Sequence, residues 1–294
     1  GLGVREPVAT VNTDLRAAVV GREVTELETI DSVVEEIDGT DDFSSVGANA
    51  TLAVSGASLH AASADVGAPL YRYLAEMTGG TCSLPMPMAN IISGGLHAQG
   101  GVEIQDFLIV PRGASTFSEA LEMVWDVRTA VRESTFAAGN RPLVADEGGF
   151  VPSVAEAEAA FDRFVDAIRD AGYAPGDDVG IAVDVAATHF YDADRDRYEL
   201  AGDELDRAAM IDRVADWIDA YPVVSVEDPL AEDDWMGWER LAARVGDRVQ
   251  LLGDDLLATN AERLDRAVDA GAANAALIKP NQAGTITRTR RVLE

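Results

Sequence analysis

A chain of 294 residues with 47% hydrophobic content can bury a large core, in one barrel-sized domain or two ordinary ones. That excludes a disordered acidic tail, which combines high net charge with low hydrophobicity. The formal net charge of −29, from 52 acidic against 23 basic residues, makes a nucleic-acid backbone or an anionic membrane surface an unsuitable partner.

The basic residues are 22 Arg and a single Lys, Lys279, and with so many acids this fits a protein adapted to salt from a halophilic source. Salt at 1 M screens charge repulsion to within about 3 Å. The lone cysteine, Cys82, excludes an intrachain disulfide and suits a reducing cytoplasm. The apolar stretches are strand-sized rather than the roughly 20 residues of a membrane span, and the start carries no signal-peptide pattern. The sequence begins at Gly1 without a methionine and stops at Glu294 after Arg288, Arg290 and Arg291, so truncation at both ends is expected.

Residues 1 to about 80 read as helices over 7–20, 26–37, 48–64 and 69–77, punctuated by Gly39, Gly47, Gly67 and the pair Gly79 and Gly80. Ala, Ser and Gly dominate 48–64, which predicts a helix packed closely on more than one side. From about residue 84 short apolar runs alternate with amphipathic segments, the pattern of parallel strands joined by crossover helices. Seven candidate strands fall at 86–92, 104–110, 143–146, 181–185, 223–227, 250–254 and 275–279, one short of an eight-stranded barrel. Helical patterns lie between them at 118–136, 155–171, 206–220 and 261–270.

Four runs end on a charge where strand meets loop: Asp184 in IAVDVAAT, Glu227 in VVSVEDPL, Asp254 in LLGDDLLATN and Lys279 in ALIKPNQ. In a parallel barrel such junctions gather around one mouth, the face that carries the chemistry. Two carboxylates about 4 Å apart repel by roughly 4 kcal/mol at an effective dielectric of 20, and a divalent cation removes that cost. All-carboxylate ligation with no His or Cys beside it favours a hard ion such as magnesium, so Asp184, Glu227 and Asp254 form one expected metal site. A single Asp after a strand is more often a cap or loop residue; repetition on three strands favours the metal reading. Lys279 stands out because lysine, unlike arginine, can give up its proton when its environment depresses the pKa, as a general base must.

GANATLAVSGA, MPMANIISGGLHA, EIQDFLIVP, VADEGGFVP, AVDVAAT, SVEDPLAEDDW, GDDLLATN and LIKPNQAG resemble enolase motifs in order and spacing, over essentially the whole chain. The resemblance implies an α/β fold: an enolase-type TIM-like barrel over 81–294 with seven of eight strands present, preceded over 1–80 by the helical remainder of an α+β N-terminal capping domain. It implies reversible, Mg2+-assisted dehydration of 2-phosphoglycerate to phosphoenolpyruvate, with Lys279 as the base at C2 and Glu147 as the acid at the C3 hydroxyl. Asp106 matches a carboxylate that assists Glu147, and His97 and Gln105 match substrate contacts, beside Glu147, Glu227, Asp254 and Lys279. Asp184, Glu227 and Asp254 match the family's magnesium ligands, while a second magnesium needs a serine-bearing loop expected before Gly1.

Here Asp106 stands where the family usually has Glu, Ala145 where it has Gly, and Pro280 and Ala283 alter the surroundings of Lys279. A His-Arg-Ser strand is expected after Glu294, so the 294 residues alone are expected to be inactive. The resemblance also implies a cytoplasmic homo-oligomer, a dimer or larger. Other readings are a superfamily lyase for a different carboxylate, and a non-catalytic magnesium-binding paralogue. DEGG with KPNQAG speaks against the first, and the retained charged positions speak against the second.

Overall fold

The computed structural model describes residues 3–98, 101–151, 154 and 156–294. They divide into two compact units, one formed by Gly1–Ser83, Leu257–Asp265 and Leu277–Glu294, the other by Leu84–Leu256 and Arg266–Ala276.

The first unit is helical, as its sequence predicts. Arg5–Thr10 (α1) continues through a π-helical stretch, Val11–Leu15, into Arg16–Val19 (α2); Leu27–Asp38 (α3), Ala48–Asp65 (α4) and Leu70–Thr78 (α5) follow. Leu15 and Val34 are completely buried and pack with Ala50 and Val54 of α4. α3 ends at Gly39, whose φ of 71° an L side chain rarely adopts. The small residues of α4 admit neighbours at close range. Thr51 Oγ1 donates to the carbonyl of Gly284 at 2.8 Å, and Ser55 Oγ accepts the amide of Ile286 at 2.9 Å. Two short helices, Pro280–Ala283 and Ile286–Leu293, therefore dock on α4.

In the second unit, Ala89–Ser93 (β1) and Asp106–Val110 (β2) precede Phe117–Ala137 (α6) and Ala157–Asp170 (α7). Then come Gly180–Asp184 (β3), a small meander of Tyr191–Asp192 (β4), Arg197–Leu200 (β5) and Asp203–Leu205 (β6), and Arg207–Ala220 (α8). Val223–Glu227 (β7), Trp235–Val245 (α9), Gln250–Gly253 (β8), Ala261–Ala270 (α10, of which residues 261–265 count with the first unit) and Ala275–Ala276 (β9) complete the alternation. The main sheet has the order β1-β2-β3-β7-β8-β9, mostly parallel, the α/β architecture expected of a TIM-like barrel. An aromatic cluster packs helix on sheet: Phe161 of α7 meets Phe107 of β2 at 4.9 Å, edge to face, and stacks on Tyr221 at 4.6 Å.

Several expectations change. Residues 143–146 are not a strand; Val144 makes one isolated bridge to Phe150 in a short hairpin. Among the described residues no strand therefore separates α6 from α7. A strand followed by one helix returns parallel, whereas a strand followed by two helices returns reversed. Accordingly β2 pairs antiparallel with β3, and it also pairs antiparallel with β1. The helix expected from 155 is described from Ala157, and Ala155 and Pro152 lie outside the described residues.

Asp31 of α3 is 0% exposed; its Oδ2 accepts the amide of Thr287 at 3.0 Å, and its Oδ1 has no partner among the described residues. Burial pushes its carboxyl above the ordinary range, against bonds from Thr287 and Ser55 that pull it down. A pKa raised by folding gives stability that is present while the group is protonated and lost as pH rises through the folded value. Asp31→Asn should therefore raise Tm near pH 7 by a few degrees, with the gain vanishing in acid where Asp31 is itself neutral. Thermal denaturation across pH checks this, and a gain independent of pH contradicts it.

Candidate active site

The sheet register places the carboxylates. Ser93 pairs with Asp106, Asp106 with Asp184, Asp184 with Glu227, and Glu227 with Leu252, so one row crosses five strands. Directly paired residues project from the same face of a sheet, about 5 Å apart. Asp106, Asp184 and Glu227 are thus neighbours although 78 and 43 positions separate them in sequence. Asp106 joins the row because β2 runs in reverse, so that its first residue meets the last residues of β3 and β7. Asp254, two residues past Leu252, follows the same alternation just beyond the end of β8.

Ligand oxygens of Glu227, Asp228 and Asp254 lie within 4.8 Å of one another, a group that could hold a metal ion. Asp184 stands beside this group rather than in it. Its Oδ2 accepts from Gln105 Nε2 at 3.0 Å and its Oδ1 from the amide of Ala186 at 3.1 Å. Burial holds the Asp184 carboxyl well above the usual range, and repulsion from Asp228, Asp106 and Asp254 adds to this while the Gln105 bond opposes it. Burial likewise pushes Asp228 up to about 7, against amide bonds from Asp255 and Asp254. Buried, mutually repelling carboxylates with oxygen donors only are suited to a hard divalent cation.

A second group lies around the other end of the row. Asp106, 2% exposed, accepts at Oδ1 from Ser93 Oγ at 2.7 Å and from Asn90 Nδ2, and its Oδ2 is 2.7 Å from Nδ1 of His97. Burial raises the Asp106 carboxyl, with Ser93, Asn90 and His97 pulling it back. His97 Nε2 in turn is 4.0 Å from Oε1 of Glu147. Asp106 was expected to assist Glu147; its direct partner is His97, which also contacts Glu147. The turn Gly95–His97 can aim the imidazole this way because Gly94 sits against the chain at 102–104, where a Cβ would come 2.1 Å from the carbonyl of Val102.

Glu147 is carried by the short hairpin around 143–151. The amide of Gly148 bonds to the carbonyl of Ala145 at 3.0 Å, and that of Ala145 to Gly149 at 2.9 Å. Phe150 stitches the hairpin to β1, donating to Ile91 and accepting from Ser93. The backbone at Gly149 presses on the pair that holds Asp106, since a Cβ there would lie 2.3 Å from Ser93 Oγ and 2.8 Å from Asn90 Oδ1. Lys279 belongs to the helical unit, where it precedes the helix Pro280–Ala283 and its amide bonds to Thr259 Oγ1 at 2.9 Å. Its strand is shorter than expected, closing at Ala276.

Sequence reasoning missed Asp228, Asn90 and Ser93. The doubled acid in VEDP was a usable signal for Asp228, because a second charge directly after a strand-ending acid lies at the same end of the sheet. Asn90 and Ser93 sit inside an apolar run and carry no pattern.

Gly149→Ala should cost toward 3 kcal/mol by overpacking. Gly148→Ala, with open space around the added methyl but a φ of +88°, should cost about 1 kcal/mol. Urea unfolding of both variants checks the difference, and equal tolerance would mean that the hairpin does not press on Ser93 and Asn90.

Comparison with known families gives two matches. Residues 81–293 match the family model described as "Enolase, C-terminal TIM barrel domain", and residues 1–74 the one described as "Enolase, N-terminal domain".

Proposed function

The chain belongs to the enolase family, and on that premise we propose that its reaction is the reversible dehydration of 2-phosphoglycerate to phosphoenolpyruvate. Membership makes it a lyase of the enolase superfamily with a small-molecule substrate. The observation that carries the finer reading is the row of carboxylates at one end of the sheet, with the all-carboxylate group of Glu227, Asp228 and Asp254 at one side and His97, Asp106 and Glu147 at the other.

The donor set fits magnesium: Asp184, Glu227 and Asp254 would hold it, with Gln105 donating to the Asp184 carboxylate. Bound there, magnesium supplies the positive charge that stabilises a substrate carboxylate as a second negative charge builds on it, the strategy for which enolase-superfamily sites are a standard example. Lys279 takes the proton from C2. Glu147 gives a proton to the C3 hydroxyl, so that the C3–O bond breaks, the C2–C3 double bond forms and water leaves. The exposure of Glu147 supports access to substrate and to solvent protons. His97 and Gln105 border the substrate, and Asp106 fixes the imidazole of His97 by its 2.7 Å bond.

The family matches at 1–74 and 81–293 support a capping domain over 1–80 and a catalytic domain over 81–294. No helix among the described residues is long and apolar enough to cross a membrane. Cytoplasmic residence, a homo-oligomeric state and adaptation to salt complete the proposal; they rest on family membership and on the acidic, lysine-poor composition.

Two substitutions in the whole gene product separate the roles. Lys279→Arg should lower phosphoenolpyruvate formation by 1,000-fold or more, on the order of the loss of a base together with its positioning, while leaving magnesium affinity within a few-fold. A near-normal rate in that variant removes Lys279 from the base role. Glu147→Gln should stop dehydration yet still exchange the C2 proton of 2-phosphoglycerate with D2O, followed by NMR. Loss of exchange and dehydration together would contradict the division of labour between the two residues.

A further inference from the structure

Asp228 is 3% exposed and follows Glu227 directly, yet the proposed chemistry gives it no part. Its two oxygens face a turn of backbone. Oδ1 accepts the amide of Asp254 at 3.2 Å and that of Leu256 at 3.5 Å, and Oδ2 accepts the amide of Asp255 at 2.7 Å. Three successive amides after β8 therefore converge on one carboxylate. Its own backbone joins β8 and the turn after β3: the Asp228 amide donates to the carbonyl of Leu252 at 3.1 Å, and its carbonyl accepts from the amide of Ala187 at 3.0 Å. The residue adopts φ +39°, a left-handed conformation that an aspartate takes at a cost of roughly 1 kcal/mol or more and that the surrounding bonds must enforce.

We infer that Asp228 is a positioning residue that sets the location of Asp254 in the metal site; the inference rests on the reading of Glu227 and Asp254 as magnesium ligands. The turn at 254–256 wraps around the Asp228 carboxylate, so the Cα of Asp254, and with it the reach of its side chain, is referred to the residue next to Glu227. One ligand is thereby fixed relative to the other by a covalent step and a hydrogen-bonded one. Carboxylates and amides behind a metal's direct ligands hold those ligands in place, and their loss typically weakens metal binding by about 10 to 100-fold.

Geometry and charge separate by choice of variant and ion. Asp228→Asn removes the charge and the acceptor for Asp255, whereas Asp228→Glu keeps the charge and moves the carboxylate out of register by one methylene. Magnesium demands a near-ideal octahedron, while calcium tolerates irregular oxygen ligation. The experiment is calorimetric titration of the metal-free whole protein in molar KCl with Mg2+ and with Ca2+, for wild type, both Asp228 variants and Asp254→Asn. The expected result is that both Asp228 variants lose about 10 to 100-fold in Mg2+ affinity and only a few-fold in Ca2+ affinity, while Asp254→Asn loses both ions. Equal weakening of the two ions, wild-type behaviour of Asp228→Glu, or a loss as complete as that of Asp254→Asn would overturn the positioning role; the last result would make Asp228 a ligand. Wild-type Mg2+ binding by Asp254→Asn would overturn the metal-site reading instead, and this inference with it.

Discussion

Three acidic side chains stand side by side on adjacent strands, and most of what surrounds them serves to keep them there. Asp106, Asp184 and Glu227 share one row of the sheet. At about 5 Å and an effective dielectric of 20, each neighbouring pair repels by roughly 3 kcal/mol when both members are ionised. Burial adds to the cost, which is why the carboxyl groups of Asp184 and Asp106 are pushed upward. The protein answers with donors: Gln105 and the Ala186 amide on Asp184, Asn90, Ser93 and His97 on Asp106, and the turn after β8 on Asp228. It also accepts left-handed backbone at Ala186 and Asp228, within two residues of the ends of the strands that deliver the acids. Local stability is given up at the sheet's end to hold negative charge in place.

Strand direction decides which acids can meet. In an all-parallel sheet the first residue of a strand lies at the far end from the last residues of its neighbours. Because two helices rather than one follow β2, that strand is reversed and Asp106 arrives beside Asp184. The same reversal brings the loop before β2 to this end, and with it the glycine-borne turn that presents His97. A two-helix connection and a histidine contact are thus one topological fact.

Much of this was legible in the sequence, for identifiable reasons. The helices of the first unit show in their periodicity and glycine stops, and Asp184 and Glu227 show as charges closing apolar runs. Periodicity carries no direction, so nothing in EIQDFLIVP told which way β2 ran. Residues 143–146 are apolar enough to pass as a strand, but DEGG closes on itself within a few residues, and among the described residues the hairpin's backbone bonds to β1 run through Phe150. The meander at 191–205 was missed because its strands are two to four residues long and charged. It is recognisable by its turns, with Asp196, Ala201 and Gly202 at positive φ, and by the Tyr198 hydroxyl, bonded to Asp234 and to the amide of Ala231. The motifs contain the imidazole of His97 and the carboxylates of Asp106 and Glu147, but the placement of His97 between the two carboxylates is a matter of tertiary packing that no motif encodes.

The anchoring of Lys279 by Thr259 acquires a practical meaning from composition. Every other basic side chain apart from histidine is a guanidinium, so an amine-directed reagent has a single side-chain target in these 294 residues. Reductive methylation with 13C-formaldehyde would place an isotopic probe on that nitrogen. The electrostatics of one chosen group can then be followed by resonance through a titration, a measurement that a lysine-rich homologue would bury under overlapping peaks.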